Sequence, residues 1–202
     1  MVADSATMPL SGAGRVPSVT PGCVMLLPGD KLPAWVFADL RTDHAGEVGA
    51  VYIYQGVLQF TRDPVLRAFA EHHLATEQSH LRHIESWLPK AQYSYLLPLW
   101  RLAGFLTGAL PALVGPRAVY VTIQAVETFV NQHYDDQVRA LASMPALAKL
   151  RQVLLECQND EVAHRDQAAA ALGQEKIGLL LRFWSVLVGA GSQAAVAVCR
   201  HI

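Results

Sequence analysis

Two short stretches of the chain carry a carboxylate and an imidazole at the same spacing. "ATEQSHLRH" (75–83) sets Glu77 three places before His80, and "NDEVAHRDQA" (159–168) sets Glu161 three places before His164. On a helix, residues three apart are turned by about 60° and lie one turn along, so each pair aims at one spot. Thirty residues before Glu77 stands Glu47, and thirty-four before Glu161 stands Glu127. The unit "helix with Glu, then helix with Glu-x-x-His" therefore occurs twice, at offsets of 80 and 84 residues (127 less 47, 161 less 77). Ionised Glu is seldom buried unless it is paired or bound to metal. Four carboxylates in one core would repel one another unless compensated, and two divalent cations bring four positive charges that cancel them. Two Glu can bridge the ions, two can terminate them, and each His supplies a nitrogen. Mixed oxygen and nitrogen ligands suit iron or manganese better than a closed zinc site.

These residues need helices to hold them, and the period supplies the helices. Leu66, Phe69, His73, Glu77, His80, Ile84 and Trp87 step by three or four and form one stripe, as do Leu150, Leu154, Cys157, Glu161, His164 and Ala168. Glu47 shares a stripe with Leu40, Val51, Tyr54 and Leu58, and Glu127 with Ile123, Val130, Tyr134 and Leu141. The pattern predicts helices near 34–60, 64–88, 94–113, 117–142, 146–171 and 174–200, broken at Asp63-Pro64, Pro89, Gly115-Pro116, Pro145 and Gly173. No alternating run bounded by hairpin turns competes with them. Residues 1–33 are rich in Pro, Gly, Ser and Ala without a period and are expected to form a flexible N-terminal arm, with one helical domain over 34–202. The arm has no basic segment followed by an apolar one, so a secretory signal is not expected, and its acidic residues argue against a mitochondrial presequence.

Two of the predicted helices stand outside the repeat. "LLPLWRLAGFLTGALPALVG" (96–115) and "IGLLLRFWSVLVGAGSQAAVAVC" (177–199) are almost wholly apolar and approach membrane-spanning length. Each carries one Arg near its start, Arg101 or Arg182, long enough to reach water from an apolar setting. One such helix fits inside a bundle, whereas two imply a surface that rests on a bilayer. Leu180 and Trp184, four apart, are expected on one outward face of the last helix.

Composition narrows the function classes. The net charge is −1 and only 16% of residues are charged, against 52% hydrophobic, so nothing favours a nucleic-acid partner and something favours an apolar one. Cys23, Cys157 and Cys199 are odd in number and scattered, which fits a reducing compartment and excludes a thiolate metal centre. Asp43 or His44, a turn before Glu47, could hydrogen-bond a ligand or stand exposed at a helix start. Tyr134 is expected to reach the site as a donor behind the ligands. Ala45, Gly46, Gly49 and Ala50 around Glu47 leave room beside the metals or allow close helix packing.

"RTDHAGEVGA", "EQSHL", "LPLWRLAGFLTGAL", "AVETFVNQHYDDQ" and "NDEVAHRDQA" together resemble the demethoxyubiquinone hydroxylase family of ubiquinone biosynthesis, over about Phe37 to the C-terminus. The resemblance implies an all-α fold: a ferritin-like four-helix bundle built from two Glu…Glu-x-x-His repeats, plus two apolar membrane-associating helices. It implies two Fe ions on Glu47, Glu77, His80, Glu127, Glu161 and His164, and an O₂-dependent monooxygenase that hydroxylates the ring of a polyprenylated demethoxyquinol. It further implies an external reductant, NADH or the quinol itself, because no G-x-G-x-x-G nucleotide motif is present. The partners it implies are the polyprenyl quinol, a membrane contacted peripherally, other ubiquinone-biosynthesis proteins and a second copy of the chain. The expected location is the inner membrane of a bacterial cell on its cytoplasmic face, or the mitochondrial inner membrane on its matrix face. The competing expectation is a ferritin-like iron-binding or iron-oxidising protein without quinone hydroxylase activity.

Overall fold

The computed structural model describes residues 24–174 and 176–202. Six α-helices run in the order α1 (Ala34–Phe60), α2 (Pro64–Trp87), α3 (Leu97–Val114), α4 (Pro116–Ala140), α5 (Ala148–Leu172) and α6 (Leu179–Cys199). Short 3₁₀ turns sit at Lys90–Gln92, Leu141–Ser143 and Pro145–Leu147, and no strand occurs among the described residues. Breakers place the boundaries. Pro64 opens α2 where its missing N–H is not needed, and the Asp63 carboxylate accepts the Leu66 N–H at 2.8 Å. Gly115, at φ 134°, turns the chain between α3 and α4, and Pro116 starts the next helix.

Topology follows from where each helix meets the two apolar clusters. One cluster holds Tyr54, Val57, Leu66, Ile123 and Leu172; the other holds Leu40, Ile84, Val138, Leu150 and Leu154. α1 and α5 therefore run from the second cluster to the first, and α2 and α4 run the opposite way. Two parallel neighbours in chain order need a crossover, and α3 is that crossover, returning the chain along α1. The result is the expected four-helix bundle of α1, α2, α4 and α5, with apolar plugs at both ends and the Glu and His residues between them.

α3 lies unusually close to α1. A Cβ on Gly104 would fall 2.4 Å from the Gly49 carbonyl oxygen, and one on Gly108 would fall 1.9 Å from that of Ile53. Gly56 makes the reciprocal approach, 2.3 Å from the Phe105 oxygen. By contrast, a Cβ on Gly46 or Gly49 would meet nothing within 4 Å. Of the small residues around Glu47, Gly46 and Gly49 thus leave open space, and the close approach of helices falls instead on Gly56, Gly104 and Gly108, the last two of them on α3.

α6 begins at Leu179, five residues later than the period predicts, after Gly173 at φ 66° and Gly178 as its cap residue. It leans on α4 through Trp184, whose Nε1–H donates to Thr122 Oγ1 at 2.8 Å. Trp184 therefore faces the bundle, while Leu180 and Phe183 are 79% and 67% exposed. That corrects the shared outward face expected for Leu180 and Trp184; a helix apolar all round has no polar side from which to read its phase. Arg200 closes the end by pairing with Asp39 at 2.5 Å, and Arg41 Nη1 donates to the Arg200 carbonyl at 3.3 Å. α3 and α6 are each long and apolar enough to cross a membrane, by length and composition.

The expected arm falls mainly on residues 1–23, which lie outside the described residues. Residues 24–33 lie along the bundle: the Leu26 N–H donates to the Ala146 carbonyl at 2.8 Å, and Leu32 is buried.

Candidate metal centre

Glu47 comes from α1, Glu77 and His80 from α2, Glu127 from α4, and Glu161 and His164 from α5. All are buried, at 4% exposure or less. Their ligand-type atoms form two overlapping groups, each within 4.8 Å: Glu47, Glu77, His80 and Glu161 in one, Glu77, Glu127, Glu161 and His164 in the other. Glu77 and Glu161 belong to both groups, and Glu47 and Glu127 to one each.

The halves reach across one another. His80 Nδ1 lies 3.1 Å from Glu161 Oε1, and His164 Nδ1 lies 3.1 Å from Glu77 Oε1. Tyr134, seven residues after Glu127, donates its hydroxyl to Glu47 Oε1; Tyr54, seven after Glu47, donates to Glu127 Oε1 at 3.4 Å. Tyr134 thus reaches the site as its spacing suggests. Tyr54 is its counterpart and was legible only as a stripe residue, although the register of the repeat points to it. Asp160, also missed, sets its Oδ2 3.1 Å from His80 Nε2, orienting that ring from behind.

A divalent pair fits these residues. Glu47 Oε2, Glu77 Oε1, Glu161 Oε2 and the Nδ1 atoms of His80 and His164 are buried and make no hydrogen bond. Atoms of these residues lie within 4.8 Å of one another in each group without meeting hydrogen-bond geometry. An unmet polar atom in such a place is costly unless a cation or proton meets it.

The titrations describe the same need. Burial pushes the Glu47 carboxyl up to about 8 against the pull of His80. It pushes Glu127 well above the usual carboxylate range, and Glu161 and Glu77 add to the rise. Burial also works against the charge of Glu161, but His164 and His80 outweigh it and hold this group down at about 2. Burial disfavours a charge on His164, yet Glu161 and Glu77 hold it up at about 9. Without metal, protons supply the compensating charge. Tyr54 and Tyr134 are pushed well above their usual value, first by burial and then by the neighbouring carboxylates, so both stay hydroxyl donors.

Around the centre, Asp43 and His44 part company. His44 stacks on Tyr93 at 3.8 Å and approaches the exposed Glu85 at 3.4 Å, away from the site. Asp43 meets His133 Nε2 at 3.0 Å and accepts from the Gln137 amide, not from a ligand-type residue. His73 is buried one turn before Glu77 with its ring 4.0 Å from that of His164, and burial drives its pKa down to about 3, so it is neutral.

One cavity of about 450 Å³ opens from the carboxylates, between α1, α3, α4 and α6. Glu47, Glu77, Glu127 and Glu161 form its floor, and Gly46, Gly49, Trp100, Phe129 and Trp184 are among its walls. The surface beyond is apolar: Leu99, Leu102, Leu106 and Leu113 on α3, and Leu179, Leu180, Phe183 and Val186 on α6, are exposed.

The chain is similar to known proteins. The family model described as ubiquinone biosynthesis protein COQ7 matches residues 35–199. A 3-demethoxyubiquinol 3-hydroxylase of Rhodospirillum rubrum is 37% identical over 146 residues, 69% of this chain and 67% of the relative. A mitochondrial NADPH-dependent 3-demethoxyubiquinone 3-hydroxylase of Dictyostelium discoideum is 32% identical over 167 residues, 78% and 73% of the two chains. A mitochondrial 5-demethoxyubiquinone hydroxylase of Saccharomyces cerevisiae is 31% identical over 169 residues, 75% and 72%. The match spans all six helices and every residue of the buried centre, and the chain belongs to the COQ7 family of ubiquinone biosynthesis proteins.

Proposed function

We propose that the chain is a 3-demethoxyubiquinol 3-hydroxylase, acting with O₂ on the ring of a polyprenylated demethoxyquinol in ubiquinone biosynthesis. The observation that carries this is that the four carboxylates of the buried Glu and His groups line an apolar cavity. An iron-storing protein needs a polar path for hydrated ions, whereas this cavity suits a flat ring.

Glu47, Glu77, His80, Glu127, Glu161 and His164 would hold two iron ions. When bound, the iron supplies the O₂ and one-electron chemistry that side chains lack. Overall, one oxygen atom replaces a ring C–H with C–OH, and the other leaves as water with two electrons and two protons. The electrons come from outside the chain, from NADH or the quinol; the names of the Dictyostelium and several animal relatives specify NADPH. Among the described residues there is no strand to open a nucleotide-binding fold. The side chains do the rest. Tyr134 and Tyr54 fix the rotamers of Glu47 and Glu127, and Asp160 holds the His80 ring. Trp100, Phe129 and Trp184 exclude water and offer faces to the ring.

The exposed faces of α3 and α6 rest on a membrane and pass the prenyl tail inward. Burying four Leu- or Phe-sized side chains there contributes about 6–12 kcal/mol before ordering costs, ample for peripheral attachment. The location that fits this reading is the cytoplasmic face of a bacterial inner membrane, or the matrix face of a mitochondrial one. A second copy or another ubiquinone-biosynthesis protein covers the same face when the membrane does not.

The test is incorporation of oxygen. Iron-loaded protein given a short-tailed demethoxyubiquinol, a chemical reductant and ¹⁸O₂ is expected to return product carrying one labelled atom by mass spectrometry. Iron oxidation without any labelled product would sink the hydroxylase reading and support the iron-oxidising one.

A further inference from the structure

The two groups of the centre share Glu77 and Glu161, so each has one carboxylate and one imidazole of its own: Glu47 with His80, and Glu127 with His164. These private pairs are alike in type and unlike in backing. Nδ1 of each ring faces the carboxylates without a hydrogen bond, which leaves Nε2 on the far side of the ring. His80 Nε2 lies 3.1 Å from Asp160 Oδ2. The register that carries His80 onto His164 carries Asp160 back onto Thr76, whose hydroxyl goes to the His72 carbonyl at 3.5 Å. Among the described residues, the only carboxylates paired with His164 are Glu77 and Glu161, both of the centre itself. Its other close neighbour is the His73 ring, 4.0 Å away at 76°, which makes no hydrogen bond to it.

The carboxylates repeat the inequality. The bond from Tyr134 to Glu47 is the closer of the two, and the bond from Tyr54 to Glu127 stretches to 3.4 Å. Both differences fall on the same side. A carboxylate behind an imidazole fixes the tautomer that leaves Nδ1 free and makes the ring a stronger base, and hydrogen bonds to a ligating carboxylate likewise fix its orientation.

We propose that the two metal positions are unequal: the position of Glu47 and His80 binds a divalent cation first and more tightly, and that of Glu127 and His164 second. Asp160 is the positioning residue for this order, acting through His80 without touching the metal. The inference rests on the two-iron reading above and deepens it. A chain short of iron then carries one ion in a defined place, and hydroxylation follows the filling of the weaker position.

Anaerobic titration of the full chain with ⁵⁷Fe(II), read by calorimetry and by Mössbauer spectroscopy, tests this. Two binding steps separated by about tenfold or more are expected, since such backing groups are worth about 10–100-fold in metal affinity. At one equivalent the spectrum should show one iron environment, with the second appearing only beyond it. Asp160 is exposed, so Asp160→Ala should fold normally; it is expected to weaken the first step by about tenfold and to mix the two environments at half loading. Thr76→Asp sets a carboxylate at the matching register for His164 and should strengthen the second step, a gain that structural damage does not produce. Both environments in equal amounts at half loading of the unsubstituted protein overturn the proposal and leave the two-iron reading standing. Two steps that neither variant moves overturn the role of Asp160. One iron or none at saturation overturns both readings.

Discussion

The α1–α2 half and the α4–α5 half carry the same Glu…Glu-x-x-His unit, yet their surroundings differ. Inside, they agree closely: each tyrosine and each histidine crosses to the carboxylates of the other half. Outside, α1 is pressed against α3 through glycines, whereas its counterpart α4 carries α6 through the Trp184–Thr122 bond; α1 and α4 both line the cavity, and α2 and α5 line it only through Glu77 and Glu161. What agrees is what two cations need. What differs is how closely the outer helix of each half is packed on it.

The sharpest way to break the symmetry is to remove a residue both halves share. Glu161→Ala should take iron from about two per chain to well below one and abolish hydroxylation, because both ligand groups lose a member and nearby carboxylates go uncompensated. Elemental analysis of folded protein checks it; two irons retained would refute the shared role.

The asymmetric side is tested by size. Gly108→Ala puts a methyl 1.9 Å from the Ile53 oxygen and should destabilise the protein by about 1–3 kcal/mol, lowering its melting temperature. Gly49→Ala meets no atom within 4 Å, so its stability should hold or rise by up to about 1 kcal/mol, while the cavity narrows and KM for the quinol rises. Equal melting of the two variants would show that the α1–α3 approach is not tight.

A finer comparison sets Tyr134→Phe against Tyr54→Phe. Each removes a donor behind Glu47 or Glu127, which typically costs about 10–100-fold in metal affinity or activity. The Tyr54 bond is the longer, at 3.4 Å, so Tyr54→Phe should lie at the mild end and Tyr134→Phe at the severe end. Iron titration of the two proteins gives the order.

The smallest effect is graded with pH. The Glu47 carboxyl at about 8 and His164 at about 9 hold protons below those values, and metal must displace them. Iron affinity should therefore weaken as pH falls below about 8, with protons released on loading. Calorimetric titration in two buffers of different ionisation enthalpy counts those protons, and a count near zero would refute the proton-for-metal exchange.

Much of this was legible in the sequence because helices write their inward face at a fixed period. Pro64 and Pro116 fixed helix starts to within a residue, and each Glu and His of the centre sits on its stripe. The start of α6 was not legible, since the apolar run from Ile177 keeps its hydrophobicity through a stretch that is not helical. Nor was the outward face of α6. The Asp43–His133 pair was invisible for another reason: its members are 90 residues apart on separate helices, and no local period links them. Tyr54 lay between the cases, hidden among apolar neighbours but recoverable from the repeat.

The crossing contacts also set a timetable for synthesis. Tyr54 meets Glu127 at a separation of 73 residues, His80 meets Asp160 at 80, and Glu47 meets Tyr134 at 87. At about 5–20 residues per second, the first half waits about 4–17 s on the ribosome for the second. During that wait Glu47, Glu77 and His80 have no complement from the second half, and the packing of α1 on α2, followed by the glycine-lined contact of α1 with α3, is all the tertiary structure the chain can make. Metal meeting the nascent chain finds fewer ligands than either final position offers, so loading belongs to the finished protein. Folding that waits on such distant partners is slow for an all-helical chain, and the apolar faces of α3 and α6 stay exposed to aggregation unless a membrane or chaperone covers them early.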